Sequence, residues 1–188
     1  MWYDDAPPAA MRSASLVLIC YGLMLVTGVL WSRLPIGLLR DTPPDLAALT
    51  AGYLGLTARN GIAGAVASAV VAGYLADLLS GAPPGLMAVV AGVTCLLAFG
   101  IQRRILVRGR ALTLAFAASL GLVAAILVWL FLAVAGEPHP AHALYGFVMV
   151  AFTTGVVGLG ALRLFRRVDA AFARTHRERD HALEGLTP

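Results

Sequence analysis

Residues 73–85 read GYLADLLSGAPPG. They close an apolar run that begins at Gly61, and the one acid among them, Asp77, constrains how the rest of the chain is arranged. The breaker that follows, Gly81 with Pro83 and Pro84, cannot continue a helix. Asp77 therefore sits near a helix C-terminus, where a carboxylate opposes the helix dipole at a cost of a few tenths to about 1 kcal/mol. Donors have to compensate it. The amides of Ser80, Gly81 and Ala82 are nearby, with Gly81 suited to the left-handed conformation that ends a helix. Arg33, Arg40 or the start of the next helix near Gly85 are further sources. Asp77 reads either as a structural clamp between two helices or as a contact for a partner or ligand.

The surroundings of that turn are those of a membrane protein. Of 188 residues 60% are hydrophobic and 13% charged, about half the charge of a soluble domain. Mean hydropathy is +0.83. A helix needs about 20 apolar residues to cross about 30 Å of hydrocarbon. Five runs approach or reach that length: Ser15–Trp31, Gly61–Leu79, Leu86–Ile101, Ala111–Ala135 and Ala143–Leu162. A sixth, Leu46–Thr57, is short unless Pro43 and Pro44 open the helix. The first run is read as a span and not as a secretory signal, because Asp4 and Asp5 precede it and no small-residue cleavage site follows. Cys20 and Cys95 lie inside apolar runs and read as small buried hydrophobes.

All 14 basic residues are arginine, and their distribution sets the orientation. Six spans with both termini cytoplasmic put twelve arginines inside, among them Arg12, Arg59, the cluster Arg103, Arg104, Arg108 and Arg110, and Arg163, Arg166 and Arg167 of the tail. Only Arg33 and Arg40 fall outside. The expected architecture is an all-α polytopic bundle of six transmembrane helices over 13–165. A disordered cytoplasmic extension over 1–12 precedes it, and a basic cytoplasmic tail over 166–188 follows. The tail reads as a helix leaving the membrane that lies on anionic lipid, touches a filament or only anchors the topology. In this arrangement Asp45, opening the second span, and Asp77, closing the third, share one level near the outer face.

Small residues recur along the third span at Gly61, Ala65, Ala69 and Gly73, in line with Asp77. In lipid, close backbone approach along such a row holds helices together. The third helix is thus expected at the buried centre of the bundle. Shorter rows occur at Ala88 and Gly92 and at Ala117, Gly121 and Ala125.

The pattern Pro44-Asp45 opening a span that carries Tyr53, then Gly73-x-x-x-Asp77-Leu78-x-Ser80-Gly81-x-x-x-Gly85, resembles the rod shape-determining membrane protein MreD family. Chain length, six spans, the basic loop after the fourth helix and the ending LRLFRRVDAAFAR resemble it as well. Pro83-Pro84 and the acidic N-terminal extension depart from that pattern. The resemblance implies a non-enzymatic scaffold subunit of the bacterial elongation complex in the inner membrane. It would link an MreC-type protein and MreB-type filaments to peptidoglycan synthases, and Asp45, Asp77, Ser80, Gly81 and Gly85 would be structural or partner-contact positions.

Other classes find less in the sequence. It holds no metalloprotease motif, no nucleophile elbow and no phosphate loop with lysine, so no catalytic residue and no cofactor are expected. His139 and His142 stand beside Glu137, but Pro138 and Pro140 break the helix that a metal site would need. The signatures of an aspartyl membrane protease are missing around Asp45 and Asp77. The basic pI of 9.6 reflects sidedness, and no nucleic-acid module is present. The rival reading is a substrate-binding subunit of an energy-coupling-factor vitamin transporter, also a six-helix chain of this size. Against it, Ser15–Trp31 lacks A-x-x-x-A docking patches and the outer loops are poor in ligand-holding groups.

Overall fold

The computed structural model describes residues 6–33, 35, 42–58, 61–81, 83–102, 109–136 and 143–184. These residues form six α-helices and no strand: α1 (Ala6–Ser32), α2 (Leu46–Thr57), α3 (Ile62–Ser80), α4 (Leu86–Gln102), α5 (Arg110–Ala135) and α6 (Ala143–Glu184). Four helices are long and apolar enough to cross a membrane: Met11–Ser32, Ile62–Ser80, Ala111–Ala135 and Leu144–Ala173. They suggest a membrane protein. Leu46–Thr57 and Leu86–Ile101 are apolar but shorter.

The helix α1 begins earlier than the sequence suggests. Residues 6–12, expected to be part of a disordered extension, are helical, with Pro7 and Pro8 in the first turn. Proline is tolerated there because the first-turn amides have no intrahelical acceptor to lose. At the other end of the chain α6 runs unbroken to Glu184.

The helices α3 and α4 pair side by side, as do α5 and α6, and α4 also meets α5. The short α2 lies among them and touches all five other helices, while α1 closes the bundle against α2, α3 and α6. The centre is therefore α2 and not the third helix. Every residue from Leu46 to Gly55 is buried, whereas α3 buries only Ala69, Ala72, Gly73 and Asp77. The reason lies in side-chain size and polarity all round the helix: LAALTAGYLGLT carries no charge, and its small residues admit neighbours on every side. At Gly55 a Cβ would overlap the Cys95 carbonyl oxygen and come within 3.0 Å of Ala98 Cβ. Around α2 the core joins Leu16 and Cys20 of α1, Ala69 of α3, Ala91 and Cys95 of α4, Ala117 and Leu120 of α5, and Leu162 and Phe165 of α6. Both cysteines are free and buried.

Contacts along the helices fix their relative heights. Cys20 Sγ lies 3.5 Å from the Leu46 carbonyl oxygen, yet α1 runs on to Ser32, about 18 Å further at about 1.5 Å per residue. The Asp45 amide donates to Thr154 Oγ1 at 2.9 Å, and α6 starts at Ala143, about 16 Å beyond that level. Gly121 of α5 meets Thr154 and α5 runs on to Ala135, so α1, α5 and α6 all project past the start of α2. Their projecting halves carry exposed Leu25, Val29, Val134, Leu144 and Val148.

Candidate functional site

The two helix starts that face this projecting side share one sequence frame. The helix α2 is preceded by Pro43-Pro44-Asp45 and α4 by Pro83-Pro84-Gly85, each followed by leucine. Gly55 on α2 abuts Cys95 on α4, nine residues into each helix, and Ala48 and Val90 near the two starts share one core cluster, so the two run parallel and open at about one level. Each start exposes amides that have no intrahelical acceptor, and an acid placed there meets both the amides and the positive end of the dipole.

In α2 that acid is local. Asp45 is the N-cap, and its Oδ1 accepts from the Ala48 amide at 2.8 Å. The Leu46 amide donates to the Pro44 carbonyl at 3.2 Å and the Asp45 amide to Thr154 Oγ1. In α4 the N-cap place is held by Gly85, which has no side chain to offer, and the acid comes from the neighbouring helix. Asp77, 4% exposed, accepts from three amides: Met87 at 2.8 Å, Gly85 at 3.0 Å and Ala88 at 3.3 Å. The Leu86 amide donates to the Pro83 carbonyl at 3.1 Å, which completes the first turn. Gly85 has φ 90°, a left-handed value that aims its amide at Asp77 and suits only glycine well.

Of the donors the sequence offers to Asp77, the start of the next helix near Gly85 is the one seen among the described residues. The turn acts differently: Gly81, at φ 66°, ends α3 and donates its amide to the Asp77 main-chain carbonyl at 3.2 Å. Ser80 is the last, exposed residue of α3. Arg33 is exposed, and Arg40 lies outside the described residues.

Gly73, one turn before Asp77, lets α4 come close enough for these bonds. A Cβ there would overlap the Met87 carbonyl oxygen and stand 2.7 Å from Ala88 Cα. Ala69 is fully buried on the same row and Ala65 packs against the core. Gly61 does not belong to the seam. It precedes α3, is exposed and has no neighbour within 4 Å of a would-be Cβ, because the row leaves the helix before reaching it.

At the opposite end of the bundle lies a second polar cluster, whose members no local sequence pattern pairs. The Arg12 guanidinium of α1 donates to Asp169 of α6 in a two-pronged bond, Nε to Oδ1 at 2.6 Å and Nη2 to Oδ2 at 2.7 Å. Tyr53 of α2 donates its hydroxyl to Asp169 Oδ2 at 2.5 Å. Its ring stacks at a tilt on Phe165, with centroids 5.4 Å apart. Three helices thus converge on one carboxylate. The separation of 157 residues between Arg12 and Asp169 leaves no local pattern to read, although Asp169 is the only acid in LRLFRRVDAAFAR.

The expected basic residues divide in two. Arg163 and Arg166 line a cavity of about 290 Å³ with Gly109, Thr113 and Leu159, and Arg167 is exposed. Arg103, Arg104 and Arg108 lie outside the described residues, as do Glu137, His139 and His142, while Arg110 is the first residue of α5. Among the described residues no group of three His, Cys, Asp or Glu is placed to hold a metal. The comparisons with known proteins add no name to this geometry: no family model, curated protein or solved structure matches the chain.

Proposed function

We propose that the chain is a non-enzymatic scaffold subunit of the bacterial cell-elongation complex. It crosses the inner membrane six times with both termini in the cytoplasm. It joins an MreC-type protein and MreB-type filaments to peptidoglycan synthases. The observation that supports this reading is the use made of Asp77. The residues that carry the MreD resemblance, Gly73, Asp77, Gly81 and Gly85, act together as one joint between α3 and α4: a close approach, a cap, a helix stop and an amide donor. Asp45 and Asp169 likewise hold helices in place. A protein whose membrane-level acids fasten its own helices suits rigid presentation of surfaces.

Co-expression with an MreC-type partner and affinity capture in mild detergent tests the proposal. Wild type is expected to retain the partner, and Asp77→Ala to lose much of it. Absence of the partner from the wild-type preparation defeats the reading. Genes for MreB- and MreC-type proteins immediately upstream would support it independently. Cysteine accessibility checks the topology: residues 33 and 167 should label from opposite sides.

One observation favours the transporter reading. The helices α1 and α6 project about 16–18 Å past the start of α2, on the side where such a subunit would take up its substrate. A vitamin-uptake assay in a strain lacking its own transporter separates the two: uptake that depends on this chain supports the transporter, and none supports the scaffold.

A further inference from the structure

The cavity at the Arg12–Asp169 end of the bundle has a chemistry that neither reading uses. It opens between the start of α5 and a turn of α6, and five described residues line it: Gly109, Thr113, Leu159, Arg163 and Arg166. The two arginines stand three residues apart on α6, which places them on adjoining positions of one helical face. Among the described residues neither guanidinium has an ion-pair partner, since the only such pair is Arg12 with Asp169. Asp169, the nearest acid along α6, already accepts both Arg12 and Tyr53. Among the described residues, two arginines therefore line one cavity with no salt bridge of their own. The Thr113 hydroxyl is turned to its own helix, donating to the Gly109 carbonyl at 2.8 Å.

The surface leading away from the cavity is apolar. From Arg163 back along α6, at helical spacing, come Leu159, Val156, Phe152 and Val148; the last three are exposed at 50%, 61% and 62%. A cationic recess joined to an exposed hydrocarbon-compatible stripe matches a molecule with an anionic head and acyl chains. Arginine forks suit phosphate oxygens in particular, and basic recesses between membrane helices are known as headgroup sites.

We propose that this cavity binds the phosphate headgroup of an anionic phospholipid, held by Arg163 and Arg166, with an acyl chain along Val156, Phe152 and Val148. The full chain, purified in a neutral detergent, is titrated with phosphatidylglycerol, phosphatidylcholine or inorganic phosphate while its melting temperature is followed. Phosphatidylglycerol is expected to raise the melting temperature, and phosphatidylcholine to leave it where it is. The double variant Arg163→Gln, Arg166→Gln should weaken the lipid response about tenfold or more, as expected from losing two charge-assisted bonds. The control Arg167→Gln, which removes one neighbouring positive charge outside the cavity, should stay within about twofold of wild type, since Arg167 is not among the lining residues. A second variant, Leu159→Trp, fills the cavity without altering charge and should also abolish the response. Equal responses to the two lipids overturn the proposal, as does an unchanged response in both the double variant and Leu159→Trp. Stabilisation by inorganic phosphate alone that matches the lipid would reassign the cavity to a free anion and overturn the lipid assignment.

Discussion

Replacing Asp77 by alanine strips three amides of their acceptor at once. Two of those bonds, from Met87 at 2.8 Å and Gly85 at 3.0 Å, have full-strength geometry, and the third, from Ala88 at 3.3 Å, is long. The group is 4% exposed, so water does not replace it freely. A buried amide left unpaired costs about 1–3 kcal/mol, which puts the loss of the two good bonds at about 2–6 kcal/mol. For a chain of this length 1 kcal/mol moves the melting temperature by about 2–4 °C, so Asp77→Ala should melt about 4–24 °C below wild type. Asp77→Asn keeps one carbonyl acceptor and gives up the charge at the α4 dipole, so it should cost about half as much. The assay is thermal unfolding in detergent, followed by the loss of monodisperse protein on size exclusion. If Asp77→Ala melts within about 2 °C of wild type, the cap does not hold α4, and the joint between α3 and α4 depends on something else.

Three further outcomes test other parts of the structure. Gly73→Ala forces a methyl group into the Met87 carbonyl and should cost about 1–3 kcal/mol in the same unfolding assay. Its effect should fall well short of additive with Asp77→Ala, because both substitutions loosen the same α4 start. Tyr53→Phe should cost about 1–3 kcal/mol when Asp169 is present and close to nothing in an Asp169→Ala background, a double-mutant cycle that isolates the 2.5 Å hydroxyl–carboxylate bond. Cys20 and Cys95, at 1% and 0% exposure, should resist a water-soluble maleimide in the folded protein and react after unfolding, as read by mass spectrometry.

What the sequence discloses is mostly what neighbours in the chain decide. The apolar run Leu46–Thr57 coincides with α2, but the expected lengthening through Pro43 and Pro44 does not occur, because Asp45 caps the helix and its first helical residue is Leu46. Gly81 was legible as the end of α3 for a local reason. The capping of α4 by Asp77 is among the alternatives the sequence offers, since an acid beside a breaker needs donors, but with the donors eight to eleven residues on, across the turn, local pattern does not choose between them and nearer groups. The repeated Pro-Pro-x-Leu frame was the available signal: α2 supplies an acid at its N-cap, α4 has glycine there, and an acid one turn from the preceding helix end is free to stand in. The place of α2 at the centre was missed because a small-residue row on α3 suggested burial, while the even distribution of small residues around α2 was the better indicator. The Arg12–Asp169 bond could not have been found from pattern, as each partner's only clue is its isolation in sign or position near opposite ends of the chain.

The shortness of α2 bears on how such a chain is made. Twelve residues rise about 18 Å, little more than half of a bilayer's hydrocarbon, so α2 has too little length to be accepted as an independent segment during synthesis. It also leaves the ribosome before α3, α4, α5 and α6 exist to receive it. A nascent polypeptide halted near residue 136 would still lack Thr154 and Phe165, which meet the first and last turns of α2. The packing of α2 is therefore completed only when the final segment adds the Thr154 and Phe165 contacts to those already offered by α3 and α4.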